Sequence, residues 1–336
     1  MDDESGESRS ELTPELLELE AQVTAEPDSE ELRDALLFAY CGQAALHGHP
    51  KRIEQILWHI RNLPRAALTH SPCAHVNPKI SLTGFEIVRR EWLQLHEQDR
   101  FDAVIACGYA AFVARADQRQ AVEILQRVVD HDPSDAKVWL EMGRLSGEPR
   151  EGLRCLQEAR RLGSTHPNLL TWTASSALSA DDRAAAATLG TELLSLANKA
   201  RATYGDTLDW PENGAALWNR AKGVSEDRAA AHELVNAISS HARDKHWAHT
   251  TLGAVALRAG DHPAALEHLR ESAEVVGSAP LRSYGPSLQL AEELCRSGYF
   301  SEVGAFLRAC QRFWDAEFVE GWCAELAAGR TPEFVP

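Results

Sequence analysis

Apolar residues recur three and four positions apart along most of the chain, the spacing that places them on one face of an α-helix. The pattern predicts helices over 29–46, 51–63, 85–98, 102–131 as a hairpin, 182–199, 288–296, 301–313 and 318–328, with a polar cap at Gly329-Arg330. Turn-forming residues punctuate it. Gly48-His49-Pro50, Asp132-Pro133, His166-Pro167 and Gly260-Asp261 each interrupt the apolar spacing, and proline stops a helix because it lacks the amide donor. Two breaks are longer. The connection 64–83 holds Pro64, Pro72 and Pro78, and the segment 204–214 separates the middle helices from the C-terminal ones. An all-α chain with essentially no sheet is expected.

The helices fall into a repeat. From Gly253 to Ala265 is twelve residues and from Ala265 to Leu269 is four, with Trp247 and Leu252 ahead of them. These are the intervals of a tetratricopeptide hairpin, in which a Leu-Gly pair on the first helix meets a small residue on the second. Tyr109, Phe112, Ala121 and Leu125 form a similar hairpin, as do Trp139, Met142-Gly143, Leu153, Leu156 and Ala159. Pro133 and Pro167 stand 34 residues apart, the period of this class. Trp172 and Ala177 begin a further unit, followed by the Ala-rich 182–199. The expected architecture is a right-handed superhelical solenoid of tetratricopeptide-like helical hairpins. Its parts are an acidic disordered tail over 1–12, N-terminal hairpins over 13–100, central repeats over 101–203, and C-terminal repeats with a cap over 204–336.

Three C-terminal motifs carry a closer likeness. Leu252 to Asp261, the turn Ser283-Tyr284-Gly285-Pro286 before a Leu- and Ala-rich helix, and Arg312-Phe313-Trp314 followed by Gly329 to Phe334 resemble bacterial tetratricopeptide-repeat proteins of unassigned function. In those proteins the turn reads Ser-Phe-Gly-Pro and the later helix Lys-Phe-Trp. A weaker echo lies in the Trp-containing stretch 56–61 and the turn at Pro72. The resemblance implies a helical-repeat fold and no catalytic residues.

Composition narrows the partners. A formal charge of −16 repels phosphate backbones and anionic headgroups, so neither nucleic acid nor a membrane surface is an expected partner. No run of eighteen apolar residues suggests a membrane span. The opening residues carry no basic leader or apolar core, which points to a cytoplasmic chain. Seven separated cysteines, an odd number, are expected to be reduced core residues.

Candidate chemistry is sparse. The chain has no phosphate-binding glycine loop, nucleophile elbow or His-Glu-x-x-His pair. His246 and His249 sit three apart on one predicted helix and are weak metal candidates, His246 being expected nearer the groove with Trp247 and His249 buried. His70, Cys73 and His75 could hold zinc or a reactive thiol, although no second Cys element completes them. Most of the nine tryptophans fit interhelical packing. Trp210 and Trp218 flank a turn and, with Tyr284, are candidate partner contacts.

The functional expectation is a non-enzymatic adaptor or regulator needing no cofactor, with a protein or peptide bound in a concave groove. Lys137, Arg144, Trp247, Thr250 and Arg258 should line that groove, and their basic members would favour an acidic peptide or a C-terminal carboxylate. The alternatives are a metal- or thiol-dependent enzyme on the same scaffold and a purely structural subunit.

Overall fold

The computed structural model describes residues 12–43, 46–63, 76–210, 214–224, 227–314 and 316–334, and among them there is helix but no strand. The chain divides into two compact units, 1–164 and 165–336. The boundary falls inside the stretch 101–203 that the repeat spacing groups as one block.

The first unit contains α1 (Pro14–Ala25), α2 (Glu30–Cys41), α3 (Pro50–Asn62), α4 (Leu82–Gln98), α5 (Ala103–Val113), α6 (Gln118–His131), α7 (Ala136–Leu145) and α8 (Pro149–Arg161). Local chemistry starts these helices. Thr13, Ser29, Ser81, Asp102, Asp117 and Asp135 each accept a hydrogen bond from an otherwise orphaned amide of the first turn. Ser81 explains why α4 begins at Leu82, ahead of the expected 85, and Thr13 with Pro14 opens α1, which the spacing did not single out.

Each helix packs on its successor, and α5 also packs on α7. Phe85 and Phe112, both buried, stack with ring centroids 4.8 Å apart and join α4 to α5. Gly143 is where α7 meets α8. A Cβ there would lie 2.7 Å from Leu156 Cγ and 3.0 Å from the Gly152 carbonyl oxygen, too close for backbone that cannot swing aside. Gly143→Ala should therefore lower the urea unfolding free energy by about 1–3 kcal/mol, as overpacking of a closed contact does. A wild-type urea midpoint in this variant would show that the α7–α8 contact is not closed.

The second unit contains α9 (Leu169–Ser179), α10 (Arg183–Tyr204), a 3₁₀ turn (Gly205–Asp209), α11 (Gly214–Val224), α12 (Arg228–Arg258), α13 (His262–Ala273), α14 (Ala279–Tyr284), α15 (Gln289–Arg296), α16 (Phe300–Cys310) and α17 (Phe318–Ala327). Its spine is α12, 31 residues long. The repeat spacing picked out only its second half, from Trp247. The first half continues without a break because 228–246 holds no proline or glycine, and it buries Ala231, Leu234 and Ile238 against Leu208 and, on α11, Leu217 and Ala221. At its other end Gly260, with φ +83°, takes the left-handed conformation that ends the helix, and Asp261 caps α13.

Around α12 pack α9, α10, α11, α13 and α15, while α13 packs on α16 and α16 on α17. The motifs that carry the sequence likeness meet here. A Cβ on Gly285, φ +81°, would strike the Trp314 ring, and one on Gly277 would strike Phe313, so the Gly-Pro turn and the Phe-Trp pair form one contact. Trp322 closes the end edge-on to Phe334 at 5.1 Å. No helix is long and apolar enough to cross a membrane among the described residues.

Candidate functional site

The five residues expected to line a groove are divided between the two units, and not all of them are open to a ligand. Lys137 and Arg144 lie on α7 in the first unit, both exposed, and Arg144 is paired with Glu141 one turn earlier at 2.6 Å. Trp247, Thr250 and Arg258 lie on α12 in the second. Trp247 is half-buried. Thr250 is 1% exposed and cannot face a ligand, which corrects its expected place: the helices around α12 close over that side.

Arg258 is likewise corrected, because its guanidinium is committed inside the protein. Nε and Nη2 donate to the two carboxylate oxygens of Glu293 on α15 at 3.0 and 2.6 Å, and Nη1 donates to the Leu178 carbonyl on α9 at 2.7 Å. Asp181 lies 3.3 Å away. One side chain thus ties α9, α12 and α15 together, and its charge sits at the C-terminal end of α9, where a cation is favoured. Glu293 holds its pKa above the ordinary arginine value.

The histidines are structural for similar reasons. His246 is fully buried, not near an open groove: Nδ1 donates to the Ser272 carbonyl at 2.9 Å and Nε2 accepts from the Ser287 amide at 2.8 Å. Both bonds require the neutral ring, and burial lowers its pKa to about 4. His249, 8% exposed, meets His268 of α13 with their Nδ1 atoms 3.0 Å apart, so one ring donates and the other accepts. Burial, then His268, lowers the His249 pKa to about 4. A zinc site needs at least three protein ligands, and no group of three or more His, Cys, Asp or Glu is placed to hold a metal among the described residues.

Trp210 and Trp218 pack against the cluster of Leu208, Leu217 and Leu234. Their other faces are covered by cations, Arg220 at 4.1 Å from the Trp210 centroid and Lys222 at 5.6 Å from that of Trp218. Tyr284 is different, with 80% of its surface exposed at the end of α14. Six described cysteines are free thiols and five of them are buried. Burial raises Cys155 and Cys310 to about 12 and Cys295 to about 11, so none is a thiolate at neutral pH. His70, Cys73 and His75 lie outside the described residues, as do the tail through residue 11, most of the connection 64–83, and Pro211-Glu212-Asn213.

An opening that spacing did not reveal lies between α13 and α16. Leu266, Leu269 and Ala273 from one helix and Ala305, Phe306 and Ala309 from the other line an apolar groove of about 380 Å³. Ala305 and Ala309 stand one turn apart, so another backbone can approach closely there. Glu267, Glu274 and Glu302 stand exposed along its edges, Glu274 with Arg312 3.5 Å away. Arg270 also lines the groove, but Glu267 and Glu271 hold it at 2.7 and 2.5 Å. The rim is net negative. The signal in the sequence was the outward row Glu302, Ala305, Ala309, which reads as an ordinary solvent face until α13 is set beside it.

No protein-family model matches the chain, and no curated protein matches it.

Proposed function

We propose that the chain is a tetratricopeptide-like helical-repeat protein that binds a partner peptide in the groove between α13 and α16, the peptide being an amphipathic helix with basic residues. The observation that carries this is the groove itself, an apolar floor edged by three carboxylates, of which Glu302 has no ion pair among the described residues, on a chain of charge −16. An apolar helical face fits such a floor and lysine or arginine beside it fits such a rim. The preference is opposite to the acidic ligand expected from Arg258, whose charge is already neutralised internally.

The repeat assignment is supported by the 34-residue interval between Pro133 and Pro167 and, within the first unit, by the packing of the α5–α6 hairpin on α7. It is supported too by Gly143 and Gly253, where a Cβ would strike the partner helix of the hairpin or come within 3.0 Å of it. A solenoid of such hairpins makes binding the natural role.

The test is fluorescence anisotropy with a labelled helical peptide of leucine and lysine, its glutamate counterpart and a scrambled control. The lysine peptide should bind, more weakly at high salt, and Ala305→Arg should weaken it at least about tenfold by filling the floor. Ala305 is exposed, so its replacement should leave the melting temperature unchanged. Equal binding of all three peptides, or full binding to the Ala305→Arg variant, would exclude this groove.

A further inference from the structure

A second opening, in the first unit, has a chemistry of its own. The last turns of α4 and one face of α6 stand on either side of α5 and leave a cavity of about 210 Å³. Leu93, Gln120 and Ile124 contribute to its wall, and Tyr109 of α5 lies 5.5 Å, ring to ring, from His96. His96 is 5% exposed, and its Nδ1 is buried with no hydrogen-bond partner. Buried polar atoms are nearly always hydrogen-bonded, and this one beside the cavity is not.

Four charged side chains line the cavity beside that ring, and Asp99 also stands near it. Arg100 and Arg127 line the cavity, and neither has an ion-pair or hydrogen-bond partner among the described residues. Glu97 lines it too and is equally unpaired, whereas Glu123 is held by Arg119 at 3.0 Å. Burial, then Arg100 and Arg127, press the His96 pKa below its ordinary value, so the ring is neutral at pH 7 and carries one donor and one acceptor nitrogen.

We propose that this cavity binds a small zwitterion of the α-amino acid class. Two guanidiniums suit a carboxylate, which each can grip through parallel N–H groups. Glu97 suits an ammonium group, and Leu93 and Ile124 suit an apolar side chain. A simple anion fits less well: phosphate would meet two carboxylates as well as two guanidiniums, and a plain carboxylate would leave Glu97 unanswered. The volume holds a single amino acid and not a folded peptide segment. The site is independent of the groove between α13 and α16.

Calorimetric titration of the full chain tests it, with leucine, glutamine and glycine as ligands and with propionate, propylamine and inorganic phosphate as single-charge or anionic controls. At least one amino acid should bind at a 1:1 ratio, about tenfold or more tighter than any control. Arg127→Gln and Glu97→Gln, both exposed positions, should each weaken that binding about tenfold with an unchanged melting temperature. Glu97→Gln should not weaken propionate, which has no ammonium. The proposal is overturned if no amino acid binds, if propionate or phosphate binds as tightly as the amino acids, or if both variants bind them like the wild type.

Discussion

Arg258→Glu is expected to destabilise the second unit by about 3 kcal/mol or more, the loss seen when one member of a largely buried ion pair is removed. Arg258 and Glu293 are only 19% and 14% exposed in their side chains, so water cannot replace what the pair loses. The reversed charge would face Glu293 across the broken pair and point a carboxylate at the Leu178 carbonyl and Asp181. Three helices meet at that point, so α9, α12 and α15 should loosen together. Urea unfolding followed by tryptophan fluorescence measures it. Arg144→Glu is the internal control: that side chain is 36% exposed and its partner is one turn away on the same helix, so the change should stay within about 0.5 kcal/mol. Equal effects of the two substitutions would mean that Arg258 is an ordinary surface residue. Adding Glu293→Arg to Arg258→Glu should recover part of the stability but not all, since the Leu178 carbonyl loses its guanidinium donor and keeps only the Asp181 amide.

Mild acid should weaken the second unit before its carboxylates titrate. His246 and His249 are neutral in the fold with pKa values near 4, against about 6.5 for an unfolded histidine. Below pH 6.5 the unfolded chain therefore binds protons that the folded chain refuses, and stability falls with pH until it levels off near pH 4. A depression of that size corresponds to about 3 kcal/mol for His246 alone. Around His246 stand the Ser272 carbonyl and the Ser287 amide, which both require the neutral ring. Around His249 stand His268 and Lys245, which disfavour its proton, and Glu271, which favours it without reversing the balance. His241 and His268 are lowered in the same direction. Unfolding free energies from urea titrations at pH 7.5, 6.0 and 5.0 should fall steadily, and a flat profile across that interval would contradict the buried neutral state. His249→Phe, which keeps a ring and removes the titration, should flatten the profile in part.

Much of the helical organisation was legible because it is written locally. Gly260-Asp261 ends one helix and caps the next through φ and a side-chain oxygen, and both properties belong to those two residues. Proline at Pro50 and Pro149 and acidic caps at Asp102 and Asp135 act in the same way. The continuous α12 was less legible, since its first half has no signature of the repeat and is recognised only by the absence of a breaker together with the cluster that it buries. The groove residues were the least legible. Arg258 and Arg144 both follow a glycine on the first helix of a hairpin, and nothing local distinguishes a guanidinium that meets Glu293 from one that meets Glu141.

The sequence by itself determined that the chain is helical, where most helices begin and end, and which faces are apolar, because caps, breakers and 3.6-residue periodicity are interactions between near neighbours. Only the tertiary structure decided which polar groups remain available. It set Glu293 of α15 against Arg258 of α12, Ser287 against His246, and α16 beside α13 to open an acidic-edged groove. It also left the His96 Nδ1, Arg100 and Arg127 without hydrogen-bond partners beside one cavity among the described residues. Pairing across 30 to 80 residues depends on where whole helices come to rest, and a charge is free or committed only once that packing is fixed.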